Sequence, residues 1–173
     1  DDNQFLGMLG MHGTYEANNA MHDCDLMINV GARFDDRITG KIDEFSPKSK
    51  KVHIDIDPSS INKNVKVDLP IVGDVKKVLS QTLKTIKKTK PNFINSNKQK
   101  ISKWWEQIEK WRSINSFDFK NSEETIKPQY AIQRLYELTK NKKTFITTEV
   151  GQHQMWAAQF YKFEKPNRWL TSG

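Results

Sequence analysis

The 173-residue sequence contains a single cysteine, Cys24, and no apolar run approaching the ~18 residues that a membrane-spanning helix needs. One cysteine excludes an internal disulfide framework and is typical of a reducing compartment. No charged segment followed by an apolar one opens the chain, so no secretion signal is predicted. These absences predict a cytoplasmic protein without a membrane segment. Because the chain begins at Asp1 without Met and stops at Gly173, we also expect it to be part of a longer protein.

The signatures of several common catalytic sites are also missing. The four histidines are scattered, and the sequence has no H-E-x-x-H pair, no Walker motif and no G-x-S-x-G nucleophile elbow. Residues 22–25 offer potential metal ligands at consecutive positions, but consecutive side chains cannot all converge on one ion. A helix-to-strand turn is the simpler interpretation of that run, and no metal site is predicted in this chain.

Acidic residues are missing from one long stretch. The formal net charge is +7, but residues 76–103 hold nine lysines and no Asp or Glu, so the rest of the chain has a net charge of −2. Lysine mixed with Asn, Ser and Ile is typical of a solvated face rather than a phosphate-reading surface. We therefore predict no nucleic-acid partner.

An aromatic stripe at helical spacing accompanies the lysines. Tryptophan beside lysine can stack on single-stranded nucleic acid, although such a stripe more often packs in a core. We favour packing, and a basic nucleic-acid-binding module is the alternative from another functional class. The residues of the stripe are Ile101, Trp104, Trp105, Ile108 and Trp111.

Short apolar runs alternate with helical patterns over the first ninety residues. The patterns predict a helix at 14–24 and strands at 25–30, 51–57 and 70–73. A further helix is predicted after an N-cap at Asp74. Such alternation predicts an α/β fold, in which a parallel sheet has helices packed on its faces. The apolar residues that recur at helical spacing in that last helix are Val75, Val78, Leu79, Leu83 and Ile86.

The later part of the chain is less regular at first. Residues 87–100 are polar and contain a proline, which predicts a linker or a crossing segment. A helix with Pro128 in its first turn is predicted next, followed by a strand at 144–148 and a further helix. Four residues of the helix that starts at Pro128 are expected to be buried: Tyr130, Ala131, Leu135 and Leu138.

Glycines stand at three predicted strand ends, in the run 10–13, at Gly31 and in Gly73-Asp74. At the carboxyl ends of parallel strands, such turns line the crevice in which nucleotides bind. Asp55, late in a predicted strand, is placed as a ribose-binding carboxylate would be. Because the strict G-x-G-x-x-G fingerprint is absent, a nucleotide site and ordinary loop glycines both remain open.

Gly151-Gln152-His153 repeats this arrangement after the predicted strand 144–148. A helix N-terminus there would offer unpaired N–H groups and a positive dipole to an anion, and His153 could add a hydrogen bond to a phosphate. A capped helix start with a polar histidine is an equally simple interpretation.

Taken together, five stretches resemble one family, the large catalytic subunit of acetohydroxyacid synthase, also called acetolactate synthase. The resemblance covers nearly the whole chain, and residues 87–122 are its least distinctive part. The stretches follow one another in the family's order: LGMHGTYEANNA (9–20), GARFDDRITG (31–40), VHIDID (52–57), VGDV (72–75) and TTEVGQHQMWAAQFY (147–161).

The resemblance implies a domain organisation and a reaction. Residues 1–90 would be the later part of a central FAD-binding domain, 91–122 a linker with an amphipathic Trp-rich helix, and 123–173 the start of a thiamine-diphosphate-binding domain. Members of the family decarboxylate pyruvate and join the two-carbon unit to a second 2-keto acid, in the first common step of branched-chain amino acid biosynthesis. Alternatives with the same two cofactors are enzymes of the pyruvate oxidase or glyoxylate carboligase type.

The resemblance also assigns residues to roles. Arg37 would hold the carboxylate of the incoming 2-keto acid, for which a planar two-pronged donor is suited, and Asp36 would support Arg37 at the substrate channel. Arg33 would face the FAD diphosphate. The residues expected around FAD are Leu9, Gly10, Met11, His12, Gly31, Ala32, Arg33, Phe34, Asp35, Asp55, Ile56, Asp74 and Val75. Those expected on the thiamine diphosphate tail are Val150, Gly151, Gln152 and His153.

Other parts of the implied site are expected outside this chain. The family's activating glutamate would precede it and the motif that holds Mg²⁺ would follow it, so the chain by itself is expected to be inactive. The implied partners are 2-keto acids, further catalytic subunits in a homodimer or larger assembly, and a small regulatory subunit. Whether pyruvate or 2-ketobutyrate is the preferred second substrate is left open.

Overall fold

Strands and helices alternate along the chain, and its strands pair in parallel. The computed structural model describes residues 2–172. The chain divides into a first unit, residues 9–11 and 15–114, and a second unit, residues 2–8, 12–14 and 115–172. This architecture confirms the predicted α/β class with parallel sheets flanked by helices.

The elements follow the predicted order. Those of the first unit are α1 (Tyr15–Asp23), β1 (Leu26–Val30), α2 (Asp36–Thr39), β2 (Lys50–Asp55), β3 (Leu69–Val72), α3 (Val75–Thr89) and α4 (Phe93–Arg112), with short 3-10 helices at Ile42–Glu44 and Pro58–Ser60. Those of the second unit are α5 (Pro128–Thr139), β4 (Ile146–Thr148), α6 (Gln152–Phe160) and β5 (Trp169–Thr171).

The strands of the first unit form a sheet in the order β1-β2-β3. The register aligns Val30 with Ile54, and Asp55 with Val72. Since parallel strands run in one direction, their carboxyl ends meet at one edge of the sheet. In the second unit β4 pairs with β5, a strand that the sequence does not predict because three residues are too short to show a period.

A small apolar core in the first unit includes the loop that follows β1. The rings of Phe34 and Phe45 meet edge to face with their centroids 5.7 Å apart. The loop is therefore anchored by its own phenylalanine. The buried members of this core are Phe34, Phe45 and Val65, and Met21, Met27, Ile38 and Val67 pack against them.

Helix α3 begins where the sequence predicts. Asp74 caps it, because its carboxylate accepts a hydrogen bond of 2.9 Å from the backbone N–H of Lys77. The predicted apolar stripe is present, but only Val78 is half-buried within this chain. The other members of the stripe are exposed: Val75, Leu79, Leu83 and Ile86.

Helix α4 begins at Phe93, so the prediction of a linker at 87–100 is wrong for most of that stretch. After Phe93 and Ile94, residues 95–100 are polar and form helix without an apolar period, which is why the pattern did not show it. The tryptophan-bearing half packs as predicted, because Ile108 is buried and the rings of Trp104 and Trp111 meet edge to face. Ile101, which begins the predicted stripe, is exposed. The first unit ends at residue 114 and the second continues from residue 115. The division into domains at residues 90 and 122 stays a prediction.

Helix α5 does not bury the face that the sequence predicts. Its half-buried residues Tyr136 and Thr139 contact Tyr161, through edge-to-face rings 5.4 Å apart and a hydroxyl–hydroxyl hydrogen bond of 2.8 Å. The prediction of burial is wrong because contacts with Tyr161, on a neighbouring segment, decide which face is covered. The residues that were expected to be buried are exposed: Tyr130, Ala131, Leu135 and Leu138.

Candidate functional site

The carboxyl ends of β1, β2 and β3 are tied together beyond the strands themselves. The N–H of Gly31 donates to the carbonyl of Ile54 at 2.8 Å, and the N–H of Gly73 donates to the carbonyl of Asp55 at 2.9 Å. The glycine turns therefore start from fixed positions at one edge of the sheet, which is where an open parallel sheet binds its ligands.

The loop at 31–37 is shaped by two residues with positive φ. Gly31 has a φ of 65° and open space where a side chain would project, whereas Phe34 has a φ of 53° and is only 7% exposed. A buried aromatic residue in the left-handed region is unusual and is held there by its surroundings. Because the Phe34 side chain lies in the core, only the backbone of this residue can face a ligand.

Two asparagines hold the backbone of the same loop. The amide of Asn29 donates to the carbonyl of Ala32 at 2.5 Å. The amide of Asn64 donates to the carbonyls of Arg33 and Phe34, at 3.1 Å and 3.0 Å. Neither asparagine was predicted from the sequence. The available signal for Asn29 was an amide within an otherwise apolar strand, where a polar side chain needs a partner.

The charged residues of the loop project from this fixed backbone. Asp35 caps α2 through its carboxylate, which accepts from the N–H of Arg37 at 3.2 Å, and it lies 3.9 Å from the Nε of Arg33. Asp36 and Arg37 are exposed, and within residues 2–172 no carboxylate lies at ion-pair distance from Arg37. Consecutive helical residues do not face each other, so this structure does not bring Asp36 onto Arg37.

Gly10 allows a second segment to approach α2 closely. Its φ is 93°, and a Cβ at this position would lie 2.7 Å from the carbonyl oxygen of Arg37. The N–H of Met11 donates to that same oxygen at 2.8 Å. Asn18 closes the turn from the other side, accepting from the N–H of Gly10 and donating to its carbonyl. A glycine is required here by both its φ and the short distance.

The carboxylates after β2 have different surroundings. Asp57 accepts hydrogen bonds from the N–H and hydroxyl of Ser59, and these bonds lower the pKa of Asp57. Asp55 accepts from the N–H of Asp57 through Oδ1, while its Oδ2 lies 3.6 Å from Nε2 of His53. Asp57 thus stabilises its own turn, and Asp55 is the carboxylate at the end of the strand itself.

Several residues at this edge are exposed, as a bound nucleotide would require. Gly31 leaves open space, Arg33 supplies an exposed cation, and Ile56 is 71% exposed beside them along the strand ends. Val72 and Val75 are exposed as well, whereas Asp74 is engaged in capping α3. Backbone N–H groups, a cation and exposed apolar side chains are the groups that hold a diphosphate and a flat ring system.

The second candidate site lies in the second unit, between β4 and α6. Gly151 has a φ of 155° and a ψ of −176°, a region that is essentially restricted to glycine. Val150 is 67% exposed, and Gln152 and His153 are exposed as well. No side chain in the described part of the chain caps α6, so its first N–H groups and positive dipole fit a diphosphate.

The remaining predicted residues are placed as follows. Leu9 belongs to the first unit, whereas His12 belongs to the second, where its carbonyl accepts from the side chain of Gln159 at 3.2 Å.

Residues 2–172 contain no group of three side chains suited to hold a metal ion. Over the same residues, no helix combines the length and apolar character that crossing a bilayer demands.

The chain matches two family models. Residues 1–82 match the central domain of the thiamine pyrophosphate enzymes, and residues 149–173 match their C-terminal TPP-binding domain.

Curated relatives match over nearly the whole chain. The acetolactate synthase large subunit of Buchnera aphidicola subsp. Schizaphis graminum is 49% identical over 98% of this chain and 28% of its own length. The isozyme 3 large subunit of Escherichia coli K12 is 48% identical over 98% of this chain and 29% of its own length. Chloroplastic acetolactate synthase 1 of Nicotiana tabacum is 46% identical over 99% of this chain and 25% of its own length. The chain thus spans less than a third of the length of these relatives. It belongs to the thiamine pyrophosphate enzyme family, and the three relatives named here are acetolactate synthases or their large subunits.

Proposed function

We propose that the whole protein is the catalytic subunit of an acetolactate synthase. It would decarboxylate pyruvate and condense the two-carbon unit with pyruvate or 2-ketobutyrate. The observation that carries this proposal is the sequence identity of 49% to a large subunit of that name over 98% of the chain. The turn before α6 supports it, because the uncapped N-terminus of that helix presents backbone N–H groups at a strand end, as a diphosphate requires.

Two groups of residues would hold the cofactors. The N-terminus of α6, with Gly151 and His153, would hold the diphosphate of thiamine diphosphate. The edge of the three-stranded sheet, with Arg33 at its loop, would hold FAD. Bound thiamine diphosphate supplies the chemistry that releases CO₂ and transfers the two-carbon unit, while FAD undergoes no net redox change.

Arg37 would receive the carboxylate of the second 2-keto acid. It is exposed, and no carboxylate of residues 2–172 pairs with it, so its guanidinium is available for a substrate. A guanidinium binds a carboxylate through two parallel N–H···O bonds and stays charged throughout the pH range of enzymes. The backbone of Arg37 is fixed by Met11 and Asp35, which supports a role in orientation.

The proposal extends to the assembly of the protein. The exposed apolar stripe of α3 supports a larger structure in which this face is covered. The partners we propose are other catalytic subunits and a small regulatory subunit, and the compartment is the cytoplasm. Mg²⁺ would bind through residues outside this chain.

Expression of the complete reading frame tests the proposal. The purified protein should contain FAD and should form acetolactate from pyruvate when thiamine diphosphate and Mg²⁺ are supplied. An oxidase-type relative would instead reduce its flavin when pyruvate is added alone, and a nucleic-acid-binding module would show salt-dependent binding to single-stranded DNA. Either result without acetolactate formation would replace the proposal.

A further inference from the structure

His53 is a buried titratable residue that the proposed reaction does not use. It lies in β2, where its register partners are Asn29 and Pro70, and its side chain is 0% exposed. Neither ring nitrogen has a hydrogen-bond partner among the described residues. Burial of an unpaired polar group is unfavourable, so a histidine at this position requires an explanation other than packing.

The surroundings of His53 supply that explanation. Nε2 lies 3.6 Å from Oδ2 of Asp55, just beyond hydrogen-bond distance, and the Asp55 side chain is 12% exposed. The two residues are two positions apart in one strand, so their side chains project from the same face of the sheet. The imidazole also meets the ring of Phe34 edge to face, with centroids 5.2 Å apart. His53 therefore contacts both the end of β2 and the loop that follows β1.

We infer that His53 is a positioning residue for the cofactor site at the ends of β1 and β2. With FAD bound, its Nε2–H closes the 3.6 Å gap to Oδ2 of Asp55 and fixes the orientation of that carboxylate, and its ring supports Phe34. Each carboxylate oxygen has two lone pairs, so Asp55 can accept from His53 and Asp57 and still receive a ribose hydroxyl. This inference rests on the proposed function insofar as the ligand at this edge is FAD.

Two substitutions of His53 distinguish the role of Nε2 from that of Nδ1. The side-chain amide of Gln reaches the position of Nε2, whereas the shorter amide of Asn reaches the position of Nδ1. The full-length apoprotein is titrated with FAD, and flavin fluorescence gives the dissociation constant. We expect His53→Gln to remain within about threefold of the wild type and His53→Asn to weaken FAD binding about tenfold, the effect of one lost hydrogen bond to a charged group. Equal losses, or a greater loss in His53→Gln, would overturn the inference.

A double-mutant cycle tests whether His53 acts through Asp55. In an Asp55→Asn background, His53→Asn should weaken FAD binding by less than about twofold, because the carboxylate that it orients is already absent. Additive losses would mean that His53 only fills space. Phe45→Leu is the matched control: it removes a ring contact with Phe34 but does not touch Asp55, so its effect should add fully to that of Asp55→Asn.

Folding and function are kept apart by two further measurements. Thermal unfolding of each apoprotein reports its stability without FAD. If His53→Asn does not fold, the test relies on His53→Gln alone, and a loss of more than about tenfold in its FAD affinity contradicts the inference. A wild-type protein that binds no FAD would overturn the proposed function and this inference together. FAD binding by the wild type with equal affinity in His53→Asn would overturn the inference only.

Discussion

The two glycine turns of the chain occupy equivalent places, yet they are held differently. The turn after β1 is fixed by side chains of its own unit: Asn29 and Asn64 bind its carbonyls and Phe34 is buried beneath it. The turn after β4 has an exposed Val150 before it and an uncapped helix after it. A loop that is bonded at several points is preorganised for a ligand, whereas a helix terminus depends on backbone dipoles alone.

Because the two turns are held differently, we expect substitutions in them to have different effects on folding and on ligand binding. Changes in the first turn should disturb folding and ligand binding together, because the same contacts serve both. Changes in the second turn should mainly affect the affinity for an anion, because few contacts depend on that loop. The predictions below, all for the full-length protein, test this contrast in order of decreasing effect.

The largest effect is expected for Gly10→Ala. A Cβ would lie 2.7 Å from the carbonyl oxygen of Arg37, and the φ of 93° is strained for alanine. We expect a loss of about 3 kcal/mol in the free energy of unfolding, measured with urea, and weaker FAD retention. Gly40→Ala is the matched control, since its φ of 55° is also positive but, apart from its own chain neighbours, no atom of residues 2–172 lies within 4 Å of the new Cβ. That variant should lose only about 1–2 kcal/mol. Equal losses would show that strain at a positive φ, and not the close approach of Gly10 to Arg37, causes the destabilisation.

Arg37→Lys should follow in magnitude. It keeps the charge but loses the two-pronged geometry, and a lost hydrogen bond to a charged group costs about 1.5–3 kcal/mol, or about 10- to 150-fold in rate. The loss should fall on kcat/KM for the second 2-keto acid, with flavin content unchanged. Arg33→Lys is the control from the same loop and should lower FAD affinity without changing the keto-acid dependence. If Arg37→Lys releases FAD instead, the residue belongs to the loop's own structure.

Much of this arrangement was predictable from local sequence, and the rest depends on contacts between distant residues. The parallel sheet, the Asp74 cap and the glycine turns follow from patterns of a few residues. The burial of Phe34 does not, because it depends on Phe45 and Val65, which the chain brings in from later segments. His53 and Asn64 were missed for the same reason. Helix α5 shows the opposite error, in which burial was predicted but not found. Its apolar period predicts a buried face, but the period does not reveal which segment covers that face.

Gly151→Ala tests the second turn. Alanine is strained at a φ of 155°, at a cost of about 1–3 kcal/mol, and its Cβ would meet the His153 ring at 2.9 Å. Because this turn is exposed, we expect it to relax, so that thiamine diphosphate affinity falls about tenfold while the unfolding free energy changes less than in Gly10→Ala. Calorimetric titration with Mg²⁺ present measures the affinity. His153→Ala alone measures what the ring contributes to binding. If the contact matters, the same change should lower the affinity less in the Gly151→Ala background than in the wild type. Unfolding as severe as in Gly10→Ala would refute the contrast between the turns.

The smallest effect on stability is expected for a hydrogen bond in the second unit that lies outside its glycine turn. The hydroxyl of Tyr136 on α5 donates to Glu164 at 2.5 Å, and this hydrogen bond raises the pKa of Tyr136 to about 12. Only the neutral phenol can donate. Since the folded pKa lies above the unfolded value of about 10, the stabilisation is fully present below pH ~10 and is lost as the pH rises towards 12.

Tyr136→Phe should therefore lower the unfolding midpoint slightly at pH 8, and the difference from the wild type should shrink between pH 10 and 11. Tyr130→Phe makes the same chemical change on the same helix, at an exposed hydroxyl with no hydrogen bond to the described residues, and should show neither effect. Thiamine diphosphate affinity should be unchanged in both variants, because the proposed site uses backbone groups at the N-terminus of α6. A fall in that affinity in Tyr136→Phe alone would mean that the packing of α5 also holds the second turn, and the two turns would then differ in degree rather than in kind.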